Sequence, residues 1–299
     1  MGVTPLLVRG GGRVWLRRLG WASLVANVGI VLTGGAVRLT SSGLGCPTWP
    51  RCTPGSFTPH RALGYHQAIE FGNRSLTFVL TAVAVATLVS AWQSRRRDLR
   101  ALAVVMALSI PAQAVIGGIT VLTDLNPWIV SLHLLVSLAI ISLAVLYLWR
   151  IGRPAGSPTQ SSPFLPLAWL TYAAAWVVLY LGTVVTGSGP HAGDLKAPRN
   201  GLDPQQLSQL HADLVFVLVG LTVGLFIALR ASGGTPQQQR AVTVLLAVEL
   251  AQGLVGFVQY VTDVPGGLVE LHLLGAASVI ATVTWALLET REGLSTGSD

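Results

Sequence analysis

Four histidines stand inside long apolar stretches of the sequence, where polar side chains are costly and usually serve a site. They are His66, His133, His211 and His272. A single histidine in such a stretch more often hydrogen-bonds a neighbouring helix than binds a ligand. Neutral imidazole is, however, a common ligand of metals and of haem iron. The question is therefore whether the four histidines are placed to act together.

An internal repeat pairs these histidines. Residues 73–79 line up with residues 211–217, so that Asn73 stands where the second half has His211. Later in each half, one offset of 139 residues aligns three polar pairs: Gln113 with Gln252, Asp124 with Asp263, and His133 with His272.

The matched positions predict a cofactor site in the second half. His211 and His272 could clamp a six-coordinate haem, because helical bundles hold cofactors between facing helices. The first half has Asn73 and His133 instead, and an amide is a poor iron ligand. The first half therefore offers an open or weakly held iron position, as chemistry at iron requires.

Glu70 shares one predicted helical face with two other polar residues. It follows His66 by four residues and precedes Asn73 by three. Its carboxylate can accept a proton beside a bound ligand. It can equally pair with Arg74, four residues later, and the spacing supports both interpretations. The remaining charged residues of the apolar stretches are expected to be partners between helices: Asp213, Glu249 and Glu270.

The only two cysteines, Cys46 and Cys52, stand in a predicted outer loop. In an oxidising compartment such a pair favours a disulfide, with two free thiols as the alternative. A thioether-linked haem is not expected, because the sequence Cys-x-x-Cys-His is absent. The two remaining histidines, His60 and His191, also stand in predicted outer loops. We expect His191 to shape a glycine-rich loop and His60 to be solvated.

The elements that hold these residues are predicted to be membrane-spanning helices. The 299 residues are 52% hydrophobic and only 10% charged, against about 25% charged in a soluble domain, which excludes a soluble enzyme. Apolar windows of about 20 residues lie near residues 20–37, 67–91, 101–122, 128–149, 164–187, 206–229, 241–262 and 268–287. We predict an all-α polytopic membrane protein whose eight transmembrane helices form two tandem pseudo-symmetric four-helix bundles.

The arginines predict the orientation. Of 19 Lys and Arg residues, 13 lie on the side of both termini, which is therefore cytoplasmic. The net charge of +7 sets this orientation and does not indicate nucleic acid binding. The predicted organisation is a cytoplasmic tail (1–19), a first half (20–150), a cytoplasmic linker (151–163), a second half (164–288) and a cytoplasmic tail (289–299).

Three motifs resemble the haem A synthase family over about residues 15–290. The first runs from Gly34 to Cys52 and includes Gly-Leu-Gly-Cys-Pro-Thr-Trp-Pro; the second is Glu-Phe-Gly-Asn-Arg at 70–74; the third is Thr-Gly-Ser-Gly-Pro-His-Ala-Gly-Asp at 186–194. Members of this family are eight-helix membrane enzymes that oxidise the C8 methyl group of haem O to a formyl group. The product, haem A, serves terminal oxidases.

The resemblance implies roles for individual residues. His211 and His272 would ligate the iron of a haem b cofactor used for electron transfer. His133 would ligate the iron of the substrate haem in the first half, and Glu70 would be the catalytic residue. The cysteine pair would form a disulfide with a redox role.

One position departs from the family pattern. The second span usually carries Glu-x-x-His-Arg, whereas this chain has Asn73 at the histidine position. Substrate haem would then be held by His133 alone, or by His66 from two turns away on the same face. With Asn73 and Arg74, these residues are the expected substrate-binding set.

The resemblance implies haem O as substrate, with haem O synthase and terminal oxidase assembly factors as protein partners. We expect a multi-pass protein of a bacterial plasma membrane in contact with lipid, and a homo-oligomer is compatible with this. Two other classes stay open. A di-haem membrane cytochrome b electron carrier would hold two low-spin haems, and a small-molecule transporter with parallel repeats would hold none.

Overall fold

The computed structural model describes residues 6–58, 64–154 and 162–291, with side chains from residue 12 onward. His60 lies outside these ranges. The described helices are α1 (Leu6–Leu39), α2 (Tyr65–Gln93), α3 (Arg97–Leu122), α4 (Pro127–Ile151), α5 (Leu165–Ser188), α6 (Pro204–Ala231), α7 (Pro236–Val261) and α8 (Gly266–Thr290). All eight are long and apolar enough to cross a membrane. The prediction of an all-α polytopic membrane protein is confirmed.

Several helices begin where the local sequence supplies a cap. Helices α4, α6 and α7 each have proline in the first helical position, where its missing N–H costs nothing. The preceding residue accepts hydrogen bonds from the first-turn amides in each case: Asn126, Asp203 and Thr235. These caps define the first residues of α4, α6 and α7.

Helix α1 begins earlier than the apolar window near residue 20 indicates. It already includes Arg13, Arg17 and Arg18, which are exposed. Long arginine side chains can cover apolar surface while their charge stays in water. An apolar window marks only the uncharged part of such a helix, so the helix itself begins earlier. Residues 6–19, which make up most of the predicted cytoplasmic tail, are therefore helical.

The chain divides into two compact units. Unit 1 contains Met1–Ser157 with His191–Pro198, and unit 2 contains Pro158–Pro190 with Arg199–Asp299. In unit 1 each helix packs against the next, and α1 closes the ring against α4, so that α2 and α4 are diagonal. In unit 2, α5 to α8 pack in the same cyclic order, with α6 and α8 diagonal.

The turns between the last two helices of each unit share one unusual backbone conformation. Asp124 and Leu125 have φ values of 51° and 59°, and Asp263 and Val264 both have 58°. Non-glycine residues rarely adopt positive φ. The Leu125 N–H donates to the Thr120 carbonyl (2.7 Å) as that of Val264 does to Gln259 (2.9 Å). The repeat seen in the sequence therefore extends to backbone geometry.

One segment of the α5–α6 connection belongs to unit 1. The Gly43 N–H donates to the Gly193 carbonyl over 2.8 Å, and Arg38 Nε donates to the His191 carbonyl. Gly193 has a φ of +96°, and a Cβ there would lie 3.1 Å from Leu125 Cδ1. Glycine is therefore required at this contact both by conformation and by space.

Candidate functional site

Unit 2 places two imidazole rings on diagonal helices. His211 lies on α6 and His272 on α8, which are diagonal in this unit. Each ring rests its Cε1 edge on a glycine of the preceding helix. A Cβ at Gly182 would lie 3.2 Å from His211 Cε1, and one at Gly256 would lie 3.0 Å from His272 Cε1. The two glycines therefore leave room for rings that face the interior of the bundle.

Hydrogen bonds fix the backbone beside the second of these rings. Gln252 Nε2 donates to the His272 carbonyl over 2.8 Å, and the Gln252 side chain occupies the space over Gly275. His272 Nδ1 is buried and makes no hydrogen bond within the described residues. His211 Nδ1 is likewise buried without a hydrogen-bond partner among the described residues.

Unit 1 repeats this arrangement around His133. A Cβ at Gly117 on α3 would lie 3.2 Å from His133 Cε1 and 3.6 Å from Nε2. Gln113 Nε2 donates to the His133 carbonyl (3.2 Å) and to Ser137 Oγ (2.5 Å). His133 Nδ1 is again buried without a hydrogen-bond partner in the described structure. The surroundings of His133 on α4 are thus built like those of His272 on α8.

The diagonal position in unit 1 is different. Asn73 on α2 accepts a hydrogen bond at Oδ1 from Thr33 Oγ1 of α1, over 2.7 Å. One turn earlier on α1, nothing lies within 4 Å of where a Cβ of Gly29 would stand. In unit 2 the aligned helix position is Gly182, which is in contact with His211. The missing imidazole therefore leaves space beside α1.

Glu70 is buried, with 4% of its surface exposed, and it does pair with Arg74. Arg74 Nη2 lies 2.5 Å from Glu70 Oε1. Glu70 Oε2 also accepts the Cys46 N–H over 2.6 Å. Arg74 donates further to the Cys46 carbonyl (2.7 Å) and the Thr48 carbonyl (3.0 Å). The pair is therefore the anchor of the α1–α2 loop.

The α1–α2 loop contains the disulfide. Cys46 and Cys52 are bonded, with an S–S distance of 2.03 Å, and both are buried. The expectation of a disulfide is borne out, and two free thiols are not found. Between them, the Trp49 ring packs directly on Gly118, the residue after the glycine that supports His133. Adjacent glycines of α3 thus contact His133 and the disulfide loop.

His66 is engaged with the same loop. Its Nδ1 lies 3.0 Å from Ser42 Oγ, and its ring stacks on Tyr65 with centroids 4.1 Å apart. A Cβ at Gly45 would lie 2.6 Å from the His66 carbonyl oxygen. The structure thus gives His66 a clear role in seating the loop.

Of the other three charged residues, two accept hydrogen bonds from neighbouring side chains. Glu249 accepts a hydrogen bond from Thr222 of α6 over 2.9 Å, and Asp213 accepts one from Gln209, one turn earlier, over 2.8 Å. Glu270 is half-buried, and its Oε2 is buried without a hydrogen-bond partner in the described ranges. The expectation of interhelical partners holds for Glu249, whereas the Asp213 bond is within α6.

Sequence reasoning missed the glycines that support the rings. Gly117 and Gly256 stand at the repeat offset and each follows its glutamine by four residues. Gly182 lies four residues before Thr186, in the third motif. The signal in the sequence was a glycine that the repeat conserves between the two halves, one helical turn from a polar residue that the repeat also conserves. This pattern could have identified the supporting glycines.

Replacing Arg74 with glutamine is expected to loosen the α1–α2 loop. Hydrogen bonds to charged groups contribute about 1.5–3 kcal/mol each, so protection of the Cys46 amide against hydrogen exchange should fall by at least about tenfold. Hydrogen exchange with mass spectrometry measures this. Arg51→Gln is the matched control, because Arg51 Nη1 bonds only within the loop, to Pro54. Equal protection in wild type and Arg74→Gln would contradict the anchor.

Comparisons with known proteins identify the family of this chain. Residues 17–284 match the family described as cytochrome oxidase assembly protein. A heme A synthase of Staphylococcus epidermidis is 21% identical over 290 residues, covering 91% of this chain and 95% of that protein. One from Lysinibacillus sphaericus is 31% identical over 183 residues, covering 56% of this chain and 58% of that protein. One from Bacillus licheniformis is 29% identical, covering 57% and 56% respectively.

Fold and site together define a multi-pass membrane protein with two matched four-helix units, each presenting imidazole to its interior. The family match covers most of the chain. The chain belongs to the cytochrome oxidase assembly protein family, which includes the haem A synthases, as its sequence motifs indicated.

Proposed function

We propose that this chain oxidises the C8 methyl group of haem O to a formyl group, giving haem A for terminal oxidase assembly. The observation that carries the proposal is the unequal pair of units. At the positions that the repeat matches, unit 2 has an imidazole on both diagonal helices, His211 and His272, whereas unit 1 has the imidazole of His133 opposite the amide of Asn73, with the buried Glu70 one turn before that amide. One unit is suited to holding a cofactor, and the other to chemistry on a substrate.

The residues of unit 2 fit a haem b. His211 and His272 stand on diagonal helices, and glycines support their rings. In the described part of the chain, no three His, Cys, Asp or Glu side chains cluster to hold a bare metal ion. Two imidazoles are instead the set that completes the coordination of a porphyrin-bound iron. When bound, haem b would supply one-electron transfer.

Unit 1 is the proposed site of the substrate. His133 would ligate the haem O iron, since its ring is supported like that of His272. Asn73 would not ligate iron, and the contact of His66 with Ser42 suits a role in the loop. Arg74 would keep the loop closed over the substrate through its bonds to the Cys46 and Thr48 carbonyls.

Glu70 would take up protons as the methyl carbon is oxidised. Written with water as the oxygen source, conversion of a methyl group to a formyl group consumes one water and releases four protons and four electrons, and an external electron acceptor must take up the electrons. The carboxylate is buried beside the loop, and Arg74 and the Cys46 amide hold it in place. A carboxylate held in place in this way is suited to act as a general base, because its surroundings need little rearrangement during the reaction.

The supports of the histidines allow a test of the haem sites. Gly256→Val and Gly182→Val place methyl groups against the rings of His272 and His211. Displaced ligands typically lower metal affinity by about tenfold to a hundredfold. We expect purified protein to lose the haem of unit 2 to an apomyoglobin acceptor faster by a similar factor.

Gly220→Val is the control for these two variants. Nothing lies within 4 Å of a Cβ at Gly220, and nine residues place it about 180° around α6 from His211. Haem loss from this variant should match wild type. The same loss rate in all three variants and wild type would contradict the assignment of unit 2.

For the cellular setting, we propose a bacterial plasma membrane with both termini in the cytoplasm. Arginines cluster at the start of α1 and in the connections that follow α2, α4 and α6, all on the side of both termini. This distribution supports the orientation. Haem O synthase and terminal oxidase assembly factors are the proposed partners, because the substrate and product are both membrane-bound haems.

A further inference from the structure

The amide of Asn73 has a defined orientation. Thr33 Oγ1 lies 2.7 Å from Asn73 Oδ1 and 3.3 Å from the Ile30 carbonyl oxygen. A hydroxyl has one proton to donate, and the shorter distance assigns it to Asn73. The amide oxygen is therefore occupied, and the amino group of Asn73, which is half-buried, keeps two N–H donors for another acceptor.

The repeat indicates what the amino group faces. Asn73 aligns with His211, and His133 aligns with His272. In unit 2 these two positions are on diagonal helices, and each ring packs on a glycine of the preceding helix. Helices α2 and α4 are diagonal in unit 1 as well. The amide thus occupies the position opposite His133, where a second axial ligand would otherwise stand.

The space around the amide is larger than its counterpart in unit 2. No atom lies within 4 Å of a Cβ at Gly29, whereas a Cβ at Gly182 would be 3.2 Å from His211. Asparagine is shorter than histidine, and no neighbouring side chain fills the difference at Gly29. There is therefore open space beside the amide, on the side of α1 that carries Gly29.

We propose that unit 1 contains a binding site for a small polar ligand, of the class of cyanide, on the substrate iron opposite His133. Asn73 Nδ2 donates a hydrogen bond to the bound ligand, and Thr33 holds the amide in the orientation to do so. The inference rests on the proposed function, because it requires haem O in unit 1. It makes Asn73 a hydrogen-bond donor to the ligand, in a position where the family pattern has histidine.

Two probes distinguish a donor from mere open space. Cyanide bound to ferric haem presents a good acceptor, whereas carbon monoxide bound to ferrous haem is a poor one. The test uses full-length protein loaded with haem O, with both ligands titrated optically. One net hydrogen bond contributes about 0.5–1.5 kcal/mol, so Asn73→Leu should weaken cyanide binding by about threefold to tenfold. Binding of carbon monoxide should change by less than about twofold.

Two further variants complete the test. Asn73→His restores an imidazole beside the open space at Gly29, and we expect it to abolish binding of carbon monoxide and give a low-spin spectrum in unit 1. Ser75→Ala is the matched control on α2, since its hydroxyl bonds only the Phe71 carbonyl of its own helix. It should bind both ligands as wild type does.

The outcomes distinguish failure of the proposed ligand site from failure of the proposed function. Selective loss of cyanide affinity in Asn73→Leu, with loss of carbon monoxide binding in Asn73→His, supports the site. A wild type that converts haem O but binds neither ligand overturns the site and leaves the function standing. A wild type that neither binds nor converts haem O overturns both.

Discussion

Replacing Glu70 with glutamine is expected to lower the rate of haem O conversion by about a hundredfold to ten-thousandfold, the usual contribution of a general acid or base. Glutamine keeps an oxygen that can accept the Cys46 N–H, which Glu70 accepts over 2.6 Å. It loses the ability to take up a proton. The variant therefore removes proton transfer while preserving much of the loop contact. Conversion is measured by chromatography of extracted haems.

Arg74→Gln is the control that separates proton transfer from loop closure. This variant keeps Glu70 but loses the bonds of Arg74 to the Cys46 and Thr48 carbonyls. If Glu70 acts only through the Arg74 pair, both variants will lose conversion equally. If Glu70 takes up protons, Glu70→Gln will be the slower enzyme even though its loop amides stay better protected. Conversion by Glu70→Gln at the wild-type rate would remove Glu70 from the chemistry.

Replacing His272 with alanine is expected to remove one haem from each chain. A low-spin haem needs both axial ligands, and His211 alone cannot complete its coordination. The number of low-spin haems per chain should fall from one to none, and haem O conversion should fall with it. Pyridine haemochrome analysis and near-infrared spectra of the ferric protein measure the change.

Two controls accompany the His272 variant. Ser278→Ala lies on the same helix, and its hydroxyl bonds only the Leu274 carbonyl one turn earlier; it should keep its haem. His272→Gly supplied with free imidazole should regain low-spin haem, because the cavity admits the ligand that was removed. A His272→Ala protein with an unchanged low-spin spectrum would place haem b elsewhere.

The sequence predicted the number of spans and the repeat because both depend on local composition and on spacing along the chain. Helix α1 extends to the N-terminal side of the apolar window near residue 20, and this extension was not predicted because it carries the charged residues Arg13, Arg17 and Arg18. Hydropathy measures how apolar the residues are and does not show where the backbone becomes helical. The pairing of Glu70 with Arg74 within α2 could be predicted, because residues four apart are neighbours on a helix.

Long-range contacts could not be predicted in this way. The Cys46 amide reaches Glu70 across 24 residues, and the packing of Trp49 on Gly118 joins the loop to α3. Spacing along a helix carries no information about either contact. Similarly, a glycine that supports a histidine has no side chain to indicate its role until the partner ring is located. The assignment of His191–Pro198 to unit 1 also depends on loop contacts, such as that between Gly43 and Gly193.

The most direct test of the proposed function is to express the chain in membranes supplied with haem O and to separate the extracted haems. The proposed oxidation predicts haem A from wild type and none above background from Glu70→Ala, with haem b bound in both. Bound haem b with unconverted haem O, under conditions in which a known haem A synthase is active, would contradict it and favour a membrane cytochrome. Protein without any haem would contradict it in favour of a transporter.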